Sequence, residues 1–478
     1  MQVLCNVVVP SLRLSGSTVS GVWRSHVKKM DRSKTSNPTE LNMVDDMDSS
    51  DFGENYEPHD HKPPGESTSY CETLSLLAKA CVGTGIFGMP RAFSNAGYIL
   101  GIAGTILAGI ATKTSMHLIA ESEHELCKRK RIPRMTYPET AEAAFELGPR
   151  SLRKFKKIAR IACSAFLLMN EFGGFCAHLI FGVENIKAIC DHLFYPASLR
   201  FHLLLLLGPF ILLCWIKNLK HLAPGATIGS GCALVCIGVV YMFIISQPIT
   251  LEGRKEIGSL RPVALSFGTI VFALGTFGEY MPIKNGMTEP VKFASTCGVV
   301  NVVMIPFTIL YVIMGLFGYL AFGDNTRNPI NMNMPDTGVM GYLIRAMLTG
   351  SLLMSCLINN YVVIEELWHK NLKLKLEGRK HVGQWEYAFR TVVTCACFLC
   401  CIAIPNLELV TALVGSLVMP VLGMWLPVII SSLTFWNKYT GFQFALFIFK
   451  NVALLLTGIF ALVSVLVTLL EICESVLK

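Results

Sequence analysis

The sequence is poor in charge. Only 15% of its 478 residues are Asp, Glu, Lys or Arg, against 52% hydrophobic, whereas an ordinary soluble domain carries about 25% charge. With a mean hydropathy of +0.51, that shortfall excludes a water-soluble globular protein and implies a chain threaded repeatedly through a bilayer. Metal and catalytic patterns are missing too. The 17 cysteines show no CxxC…CxxC or Cys/His metal spacing. Most lie inside apolar runs, as Cys395, Cys397, Cys400 and Cys401 do, and read as small apolar membrane residues; Cys190 has no evident disulfide partner. His117, His178, His192, His202 and His369 are scattered, and Met332, Met334 and Met340 lack the clustered His or Cys of a copper site. No P-loop, HExxH or GxSxG occurs. The net charge of +8 forms no single basic stripe, which excludes a nucleic-acid partner. The opening MQVLCNVVVPSL is too short, and too interrupted at Pro10, for a signal peptide. No Asn-x-Ser/Thr site falls in the expected outer loops.

What is present is a polar tail followed by apolar runs. Residues 1–69, rich in Ser, Asp, Pro and Asn, read as a disordered cytosolic tail. Eleven apolar segments of about 20 residues follow, at 73–95, 98–120, 158–183, 200–217, 224–246, 263–283, 294–321, 339–366, 386–404, 407–435 and 441–470. Basic residues sort the loops between them. Lys128, Arg129, Lys130, Arg131, Arg134, Arg150, Arg153, Lys154, Lys156 and Lys157 lie between spans 2 and 3, and Lys370, Lys373, Lys375, Arg379 and Lys380 between spans 8 and 9. Lys217, Lys220 and His221, and then Lys284 and Lys292, follow the same alternation, so these loops and the N-terminus are expected on the cytosolic side. As a topology signal the 2–3 loop needs no specific lipid, although anionic headgroups would suit it.

The first span is interrupted. Lys79–Gly97, KACVGTGIFGMPRAFSNAG, carries Gly83, Gly85, Gly88 and Pro90 inside an apolar run. Backbone groups freed at membrane depth need partners, so such a break belongs where protein or a wet cavity lines it, which is the usual place of a midplane substrate site. The competing reading is a small-xxx-small packing face through Ala80, Thr84 and Gly88. Span 6 has its own interruption, Gly268, Gly275 and Gly278 followed by Pro282. Interruptions five spans apart favour an inverted-repeat carrier over a packing face.

Seven blocks carry a resemblance: GTGIFGMPRAFSNAGY (83–98), TYPETAEAAFELGPRSLR (136–153), IFGVENIKAI (180–189), IKNLKHLAP (216–224), SFGTIVFALGTFGEYMPIKNGMTEP (266–290), GYLAFGDNTRNPINMNMP (318–335) and IAIPNLELVTALVGS (402–416). In this order the chain resembles the amino acid/auxin permease family, in its proton-coupled amino acid transporter branch and insect-type members, over roughly 70–470. The resemblance implies an all-α integral membrane protein with a leucine-transporter-type fold. Its 5+5 inverted repeats would span about 73–246 and 263–435, with an extra helix at about 441–470 and helices 1 and 6 unwound.

In such a fold an amino acid zwitterion is held by partial charges. Its carboxylate is expected at the N–H groups around Gly83, Thr84 and Gly85, where a half-helix dipole favours an anion and Thr84 adds a hydroxyl. Its ammonium is expected at the carbonyls of Phe272, Ala273 and Leu274, with Gly275 and Thr276 as the unwound link. The branch usually reads Phe-Glu-Gly in span 6, where this chain has Leu274, Gly275 and Thr276, and it carries a histidine where this chain has Leu76. Both usual coupling groups are thus replaced. Glu171 and Glu279 are the substitute candidates for a co-transported proton, each with a bland alternative as a structural or solvated carboxylate. Glu365 reads as structural. Arg91 is expected to snorkel outward, the alternative being a pair with an acidic group that gates the outer mouth.

The resulting expectation is secondary transport of small neutral amino acids by alternating access, with no cofactor beyond that proton. Two alternatives stay open: an uncoupled facilitator or exchanger, and a non-transporting amino acid sensor whose tail signals to a cytosolic growth-control complex. The membrane would be the plasma membrane or a lysosomal/endosomal one. An ion channel is disfavoured, since no span has a ring-forming filter motif.

Overall fold

A computed structural model describes residues 56–58, 68–193, 196–216, 219–335, 339–372, 382–436 and 438–477. A first compact unit, Met1–Tyr56, holds one described residue; the helical body is the second, Glu57–Lys478. The expected disorder of 1–69 therefore falls almost wholly outside the described residues, as do Lys217, Lys373, Lys375, Arg379 and Lys380.

The body is helical from end to end. Its helices are α1 (Tyr70–Cys81), α2 (Gly85–Ala96), α3 (Tyr98–Lys130), α4 (Tyr137–Leu147), α5 (Lys156–Leu193), α6 (Leu199–Cys214), α7 (Leu219–Ile245) and α8 (Leu260–Leu274). Then follow α9 (Tyr280–Gly286), α10 (Val299–Phe322), α11 (Val339–Ile364), α12 (Val382–Ala403), α13 (Leu407–Pro420), α14 (Leu426–Phe435) and α15 (Gly441–Leu477). A π turn at Val421–Trp425 joins α13 to α14. Local chemistry fixes several starts. Ser69 and Glu72 close a reciprocal capping box on α1, and Thr136 with Glu139 does so on the short α4.

Among the described residues eight helices are long and apolar enough to cross a bilayer, or nine if α1 and α2 count as one bent span. α6 and α8, at 16 and 15 residues, are shorter than the roughly 20 that an upright span needs. These are the places of expected spans 4 and 6, so among the described residues length and composition vouch for eight crossings, or nine with α1 and α2 taken as one. Each helix buries its apolar stripe against neighbours. α8 lies against α2 and α13, α10 against α2 and α3, and α5 against α11. The 407–435 segment is the centre, with 72% of its apolar window buried, whereas α15 and the 227–245 stretch of α7 bury 28%. Peripheral side chains such as Ile228, Met242, Leu456 and Leu466 face outward, as a lipid-facing belt requires.

One basic residue departs from its expected place. Lys284, read as a loop charge, is 2% exposed on α9 and pairs with Glu123, itself 3% exposed on α3. The Ala120 carbonyl accepts a second bond from Lys284 Nζ at 3.2 Å, and Glu123 Oε1 accepts from the Met135 N–H at 3.1 Å. A cation buried this deeply persists only because it is paired and hydrogen-bonded.

Candidate functional site

Two interruptions meet at the centre. α1 ends at Cys81 and α2 leaves at an angle of 48° after Val82, Gly83 and Thr84. The Cys81 carbonyl accepts from the Tyr311 hydroxyl of α10 at 2.8 Å, and the Gly83 N–H from the same break turns back onto that carbonyl at 3.1 Å. Thr84, at the N-cap of α2, has helical backbone angles and makes no side-chain cap bond. The Phe87 N–H reaches the Thr84 carbonyl at 3.1 Å, and the N–H groups before it in α2 have no intrahelical acceptor. Pro90 lies within α2, packed against Gly318, and plays no part in the break.

α8 ends at Leu274, where the Gly275 N–H reaches the Phe272 carbonyl at 3.3 Å, and 275–279 are non-helical up to α9. Pro282 sits in the first turn of α9, where its missing N–H is not needed. The two breaks face each other at backbone distance, since a Cβ on Gly85 would overlap the Ala273 Cα. Gly85 is thus required by close approach. Gly83 is not: a Cβ there would meet nothing within 4 Å. Thr84, Gly85, Ala273 and Leu274 are buried, Gly83, Phe272, Gly275 and Thr276 half-buried. The Thr276 hydroxyl is out of solvent reach and faces the Cys81 thiol at the end of α1.

The two acidic candidates converge on the second break. A Cβ on Gly278 would lie 2.8 Å from Glu171 Oε1 and 3.1 Å from Asn170 Nδ2. Glu171 and Glu279 are electrostatic neighbours, and Lys79 is the cationic neighbour of Glu279. Glu279 is exposed beside this break. Position 275 could not host the family's glutamate without movement, because a Cβ there would lie 2.6 Å from Met419 Sδ and 2.9 Å from the Val271 carbonyl. Glu365 hydrogen-bonds Tyr361, away from the breaks.

Polar contacts close both faces. On one, the Thr68 N–H donates to the Gly286 carbonyl at 2.8 Å and the Thr288 N–H to the Thr68 carbonyl at 2.9 Å, clipping the lead into α1 to the end of α9. On the other, Arg91 does not snorkel: its Nε donates to Glu408 at 3.1 Å, and Asn95 donates to the second Glu408 oxygen at 2.5 Å. Glu408, Asn95 and Glu123 are residues that sequence reasoning missed. The signal for Glu408 was a lone carboxylate at the second residue of an apolar span, inside the 402–416 block.

Comparison with known proteins places this geometry in context. The family described as transmembrane amino acid transporter protein matches residues 66–471. The chain is 28% identical over 412 residues to the proton-coupled amino acid transporter-like protein pathetic of Drosophila melanogaster, covering 86% of each. It is 26% identical over 277 residues to the amino acid transporter ANT1 of Arabidopsis thaliana, covering 57% of this chain and 61% of that one. Among solved structures, MhsT in complex with L-phenylalanine matches at 15% identity with a TM-score of 0.43, over 86% of this chain and 100% of that one.

Proposed function

The chain belongs to the transmembrane amino acid transporter family, and from that premise we propose that it carries small neutral amino acids across a membrane by alternating access. It is not an enzyme. The observation that carries the mechanism is the contact of Gly85 with Ala273, which sets the N-terminus of one half-helix against the C-terminus of another. A zwitterion's carboxylate and ammonium lie about 3 Å apart, and opposed helix ends offer matching partial charges without full counterions. The carboxylate is assigned to the N–H groups of Thr84 and Gly85, beside Gly83, whose own N–H is turned onto the Cys81 carbonyl. The ammonium goes to the carbonyls of Phe272, Ala273 and Leu274, with Gly275 and the Thr276 hydroxyl beside it.

The proposed architecture is eleven spans in two inverted repeats, about 73–246 and 263–435, followed by an extra helix at 441–470. The Thr68 face would be cytosolic, in the plasma membrane or a lysosomal/endosomal membrane. For proton coupling, Glu171 and Glu279 replace the missing groups, supported by their proximity to each other and to Gly278. A second reading, an uncoupled facilitator or exchanger, is favoured by Leu76 and by the way Met419 fills the space at Gly275.

The test is uptake of radiolabelled alanine, glycine and proline into proteoliposomes, with and without an inward proton gradient. Gradient-stimulated accumulation lost in Glu171→Gln or Glu279→Gln supports coupling through these groups. Equilibration that ignores the gradient selects the facilitator, and no uptake under any ion condition rejects transport.

A further inference from the structure

The corner where α4 hands over to α5 carries cations that the protein does not neutralise. Its carboxylates are already taken. Glu146 holds Lys130 and Lys156, while Glu139 and Glu142 hold Arg160, the latter at 2.9 Å. Arg153 is spent on the turn itself, its Nε donating to the Gly148 carbonyl at 3.1 Å. That leaves Arg150, Lys154 and Lys157 exposed, with no carboxylate partner among the described residues.

Exposed lone cations are ordinary in water, but these are interleaved with apolar surface. Phe155, Ile158 and Ile161 are 39%, 60% and 68% exposed. Lys154, in the 3-10 turn that leads into α5, holds its Nζ 5.0 Å from the centre of the Phe155 ring. Ile158 and Ile161 continue along α5 to Ala165 and Met169, both also exposed. The spacing is that of one helix face, so this is a stripe with no protein against it. Lys157 stands four residues before Ile161 and ends the same stripe.

Depth decides what covers it. Glu171, further along α5, reaches the second break at Gly278. Lys157 precedes it by 14 residues, about 21 Å of helix. The hydrocarbon core extends only about 15 Å from its midplane. With the breaks at the middle of the membrane, Ile161 stands at the edge of the hydrocarbon and Lys157 among the headgroups. A water-soluble acidic partner would match the cations and leave the isoleucine stripe uncovered. A lipid matches both, with phosphate for the cations and acyl chain for the stripe.

We propose that this corner is a binding site for anionic phospholipid, with headgroups on Arg150, Lys154 and Lys157 and acyl chains against Phe155, Ile158 and Ile161. The depth assignment rests on the transport reading above; that the leaflet is the cytosolic one rests on the orientation proposed there.

The experiment is native mass spectrometry of the purified full chain, stripped of lipid in detergent and titrated with phosphatidylserine or phosphatidylcholine. Wild type is expected to retain phosphatidylserine in preference. Each cation at an anionic surface is worth about fivefold in affinity, so Arg150→Gln, Lys154→Gln and Lys157→Gln together are expected to lower that preference at least tenfold. Lys292→Gln, which removes an exposed cation paired with Glu289 elsewhere on the protein, is expected to leave it unchanged. Because stripping charge from this loop can disturb insertion, hydrogen exchange of the wild type supplies a readout without substitution. Residues 149–155 are expected to exchange several-fold more slowly in nanodiscs that contain phosphatidylserine than in phosphatidylcholine alone. No lipid preference in wild type, or one untouched in the combined variant, would overturn the site. A loss shared equally by Lys292→Gln would also overturn it, by showing a response to charge in general. Retention of a polyglutamate peptide in place of phosphatidylserine would overturn it in favour of a protein partner. Transport itself is decided separately, by the uptake assay.

Discussion

Lys284 is the residue on which the Thr68 face most depends. Its partner Glu123 is nearly as buried, and removing the ammonium leaves a carboxylate in low dielectric. Lys284→Met is expected to destabilise the protein by about 3–5 kcal/mol, and Lys284→Met with Glu123→Met to recover most of the loss, as thermal unfolding would register. A single variant as stable as wild type would show that the pair contributes little. The sequence offered only half of this arrangement. Lys284 stands beside Asn285 and Gly286 and looks like a loop cation, because nothing local reveals a carboxylate 161 residues earlier. Arg91 was misread for the same reason, its partner Glu408 lying 317 residues away. Gly85 was legible as unusual, but its requirement comes from Ala273, which local reading cannot see.

At the level of elements, the clip at Thr68 and the clamp at α4 hold one face together. Proline at 68 removes the N–H that reaches Gly286. Thr68→Pro is therefore expected to speed amide hydrogen exchange across Tyr70–Cys81 several-fold while sparing α13, and unchanged exchange in α1 would deny the clip a closing role. The clamp is electrostatic. Glu146 of α4 bridges Lys130, at the end of α3, and Lys156, at the start of α5, the latter at 2.7 Å. Hydrogen bonds from Lys130 and then Lys156 hold the Glu146 carboxyl down at about 2, against an ordinary value of 4.5. A carboxyl lowered on folding stabilises the folded state above its unfolded pKa and loses that contribution as pH falls through the folded one. The stability difference between wild type and Glu146→Gln should thus be constant above about pH 5 and vanish toward pH 2. These side chains are about a third exposed, so the difference should not exceed about 1 kcal/mol. Both helix breaks were legible from glycine and proline clusters, though Pro90 and Pro282 turned out to lie inside helices. A proline marks an irregular neighbourhood more reliably than it marks the irregular residue.

At the scale of the molecule, two broken segments meet near the centre, with a polar closure on each face. The apolar periodicity and the loop charges made the helical, multi-pass character readable. The meeting of α2 with α8 was readable only through resemblance, since no local pattern tells which interruptions face each other. The partners in the closures were hidden, because each joins residues far apart in the chain, although pairing of Arg91 with an acidic group was one of the two readings its sequence allowed.

The central claim is that the Gly85–Ala273 junction is the substrate site of a carrier that opens alternately to each side. Counterflow tests it most directly. Proteoliposomes loaded with unlabelled alanine are diluted into trace radiolabelled alanine, and the wild type is compared with Gly85→Val, whose side chain would fill the junction. Wild type should transiently concentrate the label inside. A Gly85→Val protein that elutes as a monodisperse species should not, falling at least tenfold. Counterflow in Gly85→Val equal to wild type would contradict this location of the site, and its absence in wild type would contradict the carrier itself.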